Sequence, residues 1–60
     1  MSTRDVKRYI NNRNAELNSV AVYMALAAKE PDSRMADIYR RLAATEQKHA
    51  ALWEEKIKEQ

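Results

Sequence analysis

Three side chains of this sequence have the chemistry and spacing of metal ligands: Glu16, Glu46 and His49. Glu46 and His49 are three residues apart, so on a helix they share a face and can hold one ion between them. Both lie within a series of apolar residues, and Glu16 interrupts a similar series seven residues from Tyr9 and seven from Tyr23. A carboxylate in an apolar stripe is unfavourable unless a cation meets it there. The spacing therefore predicts a metal site with carboxylate and imidazole ligands.

One chain supplies only these three donors, too few to enclose a pair of metal ions. A two-fold related copy would double them to four carboxylates and two imidazoles, the ligand set of di-iron and di-manganese carboxylate bundles. Four carboxylates carry a charge of about −4, which two divalent cations neutralise. We therefore predict a homodimer with a dinuclear metal centre at its interface.

Two long helices must position these ligands. Ser2 and Thr3 are both suitable N-caps, and no helix breaker occurs before Pro31. Helix 1 is predicted at about 3–28, a turn at 29–32 and helix 2 at about 33–58. Two helices joined by so short a turn lie antiparallel. The predicted fold class is all-α, and the 60 residues are predicted to form a single helical hairpin, half of a four-helix bundle that a second copy would complete.

Both helices carry apolar residues at intervals of three and four, which predicts one buried stripe on each. The stripe of helix 1 is Val6, Tyr9, Ile10, Leu17, Val20, Tyr23, Met24 and Ala27, and that of helix 2 is Met35, Ile38, Tyr39, Leu42, Leu52, Trp53 and Ile57. Because both helices rise equally per residue, residues whose numbers sum to about 62 should lie at the same level of the hairpin. This register pairs Tyr9 with Trp53, Tyr23 with Tyr39 and Glu16 with Glu46.

Length and composition limit the alternatives. A chain of 60 residues has a marginal core, and without cysteine it can be reinforced only by metal ligation or by association with another chain. The net charge is +2, with bases and acids interspersed, so no nucleic-acid partner is predicted. No apolar run approaches the roughly 20 residues that span a bilayer. We expect no membrane contact by this segment and a cytoplasmic location.

A longer pattern covers roughly residues 12–57: it comprises Glu16, YMALA at 23–27 and IYRRLAATEQKHAALW at 38–53. This pattern resembles the rubrerythrin branch of the ferritin-like family, whose bundles contain four helices. It is similar above all to the ferritin-like segment that precedes vacuolar-iron-transporter-type membrane domains. Only the first half of the usual four-helix unit is present. The chain therefore either homodimerises, as two-helix encapsulated ferritins do, or is a fragment or an engineered half, and a removed membrane domain stays an open alternative.

The resemblance implies that Glu16 and His49 are terminal ligands and that Glu46 bridges two iron ions per dimer. It implies a ferroxidase or peroxidase-type oxidoreductase that oxidises Fe(II) with dioxygen or peroxide, or iron handling. Manganese or zinc would also suit these ligands. Tyr23 and Tyr39 either orient the glutamates from the second shell or are ordinary core aromatics.

A structural hairpin that docks on itself or on a partner without catalysis is the alternative function. The native metal, the physiological oxidant, the electron donor and assembly beyond the dimer stay open. Arg13 is level with His49, near the site, where pairing with a carboxylate at the edge of the bundle is one interpretation and its role stays open. Glu54 is interpreted as a solvated charge.

Overall fold

A computed structural model describes residues 3–59 of the chain. Helix α1 spans Thr3–Lys29 and helix α2 spans Ser33–Lys58. The two helices pack against each other along their length, and the described residues contain no strand. The all-α fold class is thus confirmed, and both helices begin and end within one residue of their predicted bounds. Of the two predicted N-caps, Ser2 lies outside the described residues and Thr3 is already the first residue of α1.

The turn between the helices is ordered by side chains of its own residues. Pro31 has no backbone N–H and cannot continue α1. Asp32 is the N-cap of α2: its backbone is extended, with φ −82° and ψ 114°, and its Oδ1 accepts a hydrogen bond of 2.9 Å from the backbone N–H of Arg34. The backbone N–H of Asp32 donates to Oε1 of Glu30 over 3.2 Å. These bonds satisfy backbone groups at the start of α2 that have no partner within the helix.

The contact between the helices is a seam with a seven-residue repeat. On α1 it comprises Val6, Tyr9, Arg13, Glu16, Val20, Tyr23 and Ala27, and on α2 it comprises Ala36, Tyr39, Ala43, Glu46, Ala50, Trp53 and Ile57, all of them buried or half-buried. Three buried alanines lie seven residues apart on α2, so the two backbones can approach closely there.

Two aromatic pairs fix the register of the seam. The rings of Tyr9 and Trp53 stack with centroids 5.6 Å apart, and those of Tyr23 and Tyr39 stack at 6.5 Å. Both pairs are those predicted from equal helical rise, so the predicted register is confirmed. Glu16 and Glu46 occupy the level between these two aromatic layers.

The predicted apolar stripes were wrong in one respect. Six of their residues were expected to be buried in the helix contact but are exposed, Leu52 to 62%: Leu17 and Met24 of α1, and Met35, Ile38, Leu42 and Leu52 of α2. The seam instead uses the alanine that follows Met35 and the one that follows Leu42. Small side chains permit a closer approach of the helices and leave their larger neighbours beside the seam.

These exposed residues lie mainly on one side of the hairpin. A helix turns by about 100° per residue, so the residue before each seam residue lies on one side of the seam and the residue after it lies on the other. Because α1 and α2 are antiparallel, the residues that precede seam residues lie on the same side of the hairpin in both helices. We call this side the His49 face, because His49 precedes the seam residue Ala50. Its exposed large hydrophobic residues are Val22, Leu26, Met35, Ile38, Leu42 and Leu52, whereas the opposite face has Leu17 and Met24.

Neither helix, within residues 3–59, combines the length and apolar character that crossing a membrane requires.

Candidate metal centre

The three predicted ligands meet at the middle of the hairpin. Glu16 comes from α1, whereas Glu46 and His49 come from successive turns of α2. One ligand atom from each residue lies within 4.8 Å of the other two. The structure therefore brings together all three residues that the sequence singled out.

The closest approach within this group is between the two helices. Nδ1 of His49 lies 3.5 Å from Oε2 of Glu16 and 4.0 Å from Oε2 of Glu46. Two donors that each lie about 2.1 Å from a shared ion are about 3.0–3.4 Å apart at ordinary coordination angles. Small side-chain rotations would bring the three atoms to that separation.

Glu16 has an unsatisfied carboxylate oxygen. Its Oε2 is buried and is the one side-chain polar atom, among those described, that is buried without a hydrogen-bond partner. Only about a quarter of the Glu16 and Glu46 side chains is exposed, compared with 49% for His49. A buried acceptor without a donor is unfavourable, the more so when it carries charge. A cation placed between these side chains would satisfy it.

Comparison with protein-family models, curated proteins and solved structures gives no match. The case for a metal centre therefore depends on this chain's own residues and geometry. The resemblance to rubrerythrin, and the ligand roles that it implies, stay predictions.

Arg13 has a partner that the sequence did not reveal. Its Nη1 lies 2.7 Å from Oε1 of Glu54, and its Nε donates to Oδ1 of Asn14 over 3.3 Å. Glu54 was interpreted as a solvated charge, but it forms an ion pair across the seam while 43% of its side chain stays exposed. Arg13 is one turn from Glu16, but its guanidinium group pairs with Glu54. Oε2 of Glu16 therefore has no hydrogen-bond donor. The predicted register places Arg13 level with position 49, five residues before Glu54, so it did not identify this partner.

Tyr23 and Tyr39 form the aromatic layer on the turn side of the glutamates. Their rings are nearly parallel, with an interplanar angle of 22°. Among the side-chain hydrogen bonds of residues 3–59, none joins either hydroxyl to Glu16 or Glu46. The role predicted for these hydroxyls, donating hydrogen bonds that orient the glutamates, stays a prediction.

Proposed function

We propose that Glu16, Glu46 and His49 bind a metal ion and that two copies of the chain complete a dinuclear iron centre. The observation that carries this proposal is the buried Oε2 of Glu16, which has no hydrogen-bond donor and lies 3.5 Å from an imidazole nitrogen. Two carboxylates and a histidine converge in a seam otherwise made largely of alanine and aromatic residues. An ion gives this arrangement a favourable energy that the metal-free protein lacks.

The donor set supports a pair of ions rather than a single one. A single chain offers three ligand residues and leaves His49 half exposed. A second copy contributes the same three, and the four carboxylates then balance the charge of two divalent cations. Dimerisation also covers apolar surface, so metal binding and association stabilise the same state.

The ligands favour iron that is oxidised at the site. Bound iron would supply one-electron chemistry toward dioxygen or peroxide. Hard carboxylate oxygens from Glu16 and Glu46 stabilise the higher charge of ferric iron, and His49 contributes a neutral donor. The proposed activity is therefore the oxidation of Fe(II), of the ferroxidase or peroxidase type, in the manner of the ferritin-like family.

Anaerobic titration with Fe(II), followed by air, tests the proposal. We expect binding of about one iron per chain, a dimeric mass and ferric absorbance after oxygen is admitted. The variant Glu46→Gln should lose all three, whereas the exposed Glu55→Gln should retain them. A parent protein that binds far less than one iron per chain, or that stays monomeric when loaded, would refute the dinuclear centre.

The exposed apolar residues also favour a second candidate, a hairpin that docks without catalysis. This function predicts that Glu46→Ala and His49→Ala leave the melting temperature unchanged or higher, with or without metal. The metal-centre proposal instead predicts that metal raises melting in the parent protein and not in these variants.

A further inference from the structure

We infer that the second copy docks on the His49 face, with Ile38 and Leu42 of α2 at the contact. This inference rests on the proposed function, because it identifies the surface through which the dinuclear centre is completed. The opposite face, with Leu17 and Met24, then stays in contact with solvent.

The distribution of apolar residues distinguishes the two faces. Six of the eight large hydrophobic residues exposed by the described chain lie on the His49 face, four of them on α2. They follow the hairpin from the turn toward its open end, with His49 between Leu42 and Leu52. Such a concentration of exposed large hydrophobic residues on one face is typical of an interface.

The polar residues at the centre of this face have satisfied hydroxyl groups. Ser19 donates to the carbonyl oxygen of Ala15 over 3.2 Å, and Thr45 donates to that of Arg41 over 3.1 Å. Both hydroxyls are bonded within their own helix, so covering them leaves no donor without a partner. Ser19 and Thr45 are also small and lie next to seam residues near the centre, so a second backbone can approach there.

The position of the ligands indicates a second copy rather than an unrelated protein. His49 is the most exposed of the three ligand residues, and its side chain emerges on this face. A two-fold contact brings the same surface of both chains together, so the partner presents its own glutamates and histidine to the incomplete donor set. A copy on the Leu17 face would be separated from His49 by the seam.

The exposed area is consistent with an unfilled interface. The hairpin measures 46 × 13 × 10 Å and exposes 4660 Å². A compact chain of 7.0 kDa is expected to expose roughly 4,000 Å². The elongated hairpin thus exposes about 600 Å² more than a compact chain of its mass, and pairing of two hairpins would reduce this exposure.

Ile38→Glu and Met24→Glu form a matched test. The two residues lie at the same level of the hairpin on opposite faces, and both are similarly exposed, at 45% and 49%. The carboxylate introduced by Ile38→Glu would lie one turn from Arg34 and one turn from Arg41, so the substitution should preserve the helix. Circular dichroism of both variants checks that the hairpin stays folded.

Sedimentation equilibrium of the full chain with anaerobic Fe(II) measures the dimer dissociation constant. We expect Ile38→Glu to raise it about a hundredfold or more, because two apolar contacts are replaced by two buried charges. Met24→Glu should leave it within about threefold of the parent value. Ile38→Glu that dimerises as tightly as the parent, or a larger loss in Met24→Glu, overturns the assignment of the face while the dinuclear centre stands. A parent protein that is monomeric with iron bound refutes the proposed function itself.

Discussion

Oε2 of Glu16 lies closer to Nδ1 of His49, at 3.5 Å, than the carboxylate of Glu46 does, although Glu46 and His49 are neighbours on the same helix. The shortest ligand contact is therefore made across the seam. Its geometry depends on the register that the aromatic pairs set, and not on helical spacing alone. The candidate centre thus exists only in the folded hairpin, so metal binding and folding should be thermodynamically linked.

The first prediction concerns the charge of Glu16. Glu16→Gln removes the charge of a half-buried carboxylate whose Oε2 has no hydrogen-bond donor, so the metal-free protein should melt at the same temperature or higher. Metal should no longer stabilise it, whereas the parent should gain about 2.7 kcal/mol at a free metal concentration a hundred times its dissociation constant. Thermal melts monitored by circular dichroism, with and without Zn(II), measure both effects. Glu55→Gln is the control, since Glu55 is exposed. Full metal stabilisation of Glu16→Gln would show that Glu16 is not a ligand.

The second prediction concerns His49. Half of its side chain is exposed, so His49→Ala should leave the metal-free melting temperature nearly unchanged. Loss of a ligand should weaken Co(II) binding at least about tenfold, since even partners that only orient a ligand contribute that much. Titration followed by the visible Co(II) spectrum reports the affinity and the ligand environment together. Gln47→Ala, exposed on the same turn, should bind as the parent does. If the Co(II) spectrum of His49→Ala were the same as that of the parent protein, the imidazole of His49 would not be a metal ligand.

The sequence was sufficient to predict the hairpin and the level at which the glutamates meet. Pro31 ends the first helix, and equal rise in the two helices then pairs Tyr23 with Tyr39 at 6.5 Å. The same geometry places Glu16 level with Glu46. These features follow from local rules that act on single residues or on spacing, so they can be inferred without knowledge of how the side chains pack.

The composition of the seam could not be predicted in the same way. Leu42 and Ala43 are adjacent and both apolar, so helical periodicity does not decide which of them faces α1. Packing decides it: Ala43 is 3% exposed and Leu42 is 39% exposed, because the closer helix contact uses the smaller side chain. The Arg13–Glu54 pair was missed for a related reason, since a long flexible side chain selects its partner only once the neighbouring helix is in place.

The third prediction tests the close contact at Ala43. Ala43→Leu inserts a larger side chain between the helices and should lower the free energy of unfolding by about 1–3 kcal/mol. Ala44→Leu, on the next residue, adds the same group at an exposed position and should change stability by less than about 0.5 kcal/mol. Urea denaturation of the metal-free proteins measures the difference. If both variants were equally stable, Ala43 would not lie in the helix contact.

The fourth prediction concerns the ion pair of Arg13 and Glu54, whose side chains are 25% and 43% exposed. Solvent screens such a pair, so the coupling free energy in a double-mutant cycle of Arg13→Met and Glu54→Gln should be at most about 1 kcal/mol. Glu54 is engaged with Arg13 and does not belong to the ligand group, so Glu54→Gln should leave metal affinity within about twofold of the parent value. Urea melts give the coupling, and calorimetric titration with Zn(II) gives the affinity. A tenfold loss of Zn(II) affinity in Glu54→Gln would indicate that Glu54 is also a metal ligand. The donor set would then include a residue besides Glu16, Glu46 and His49.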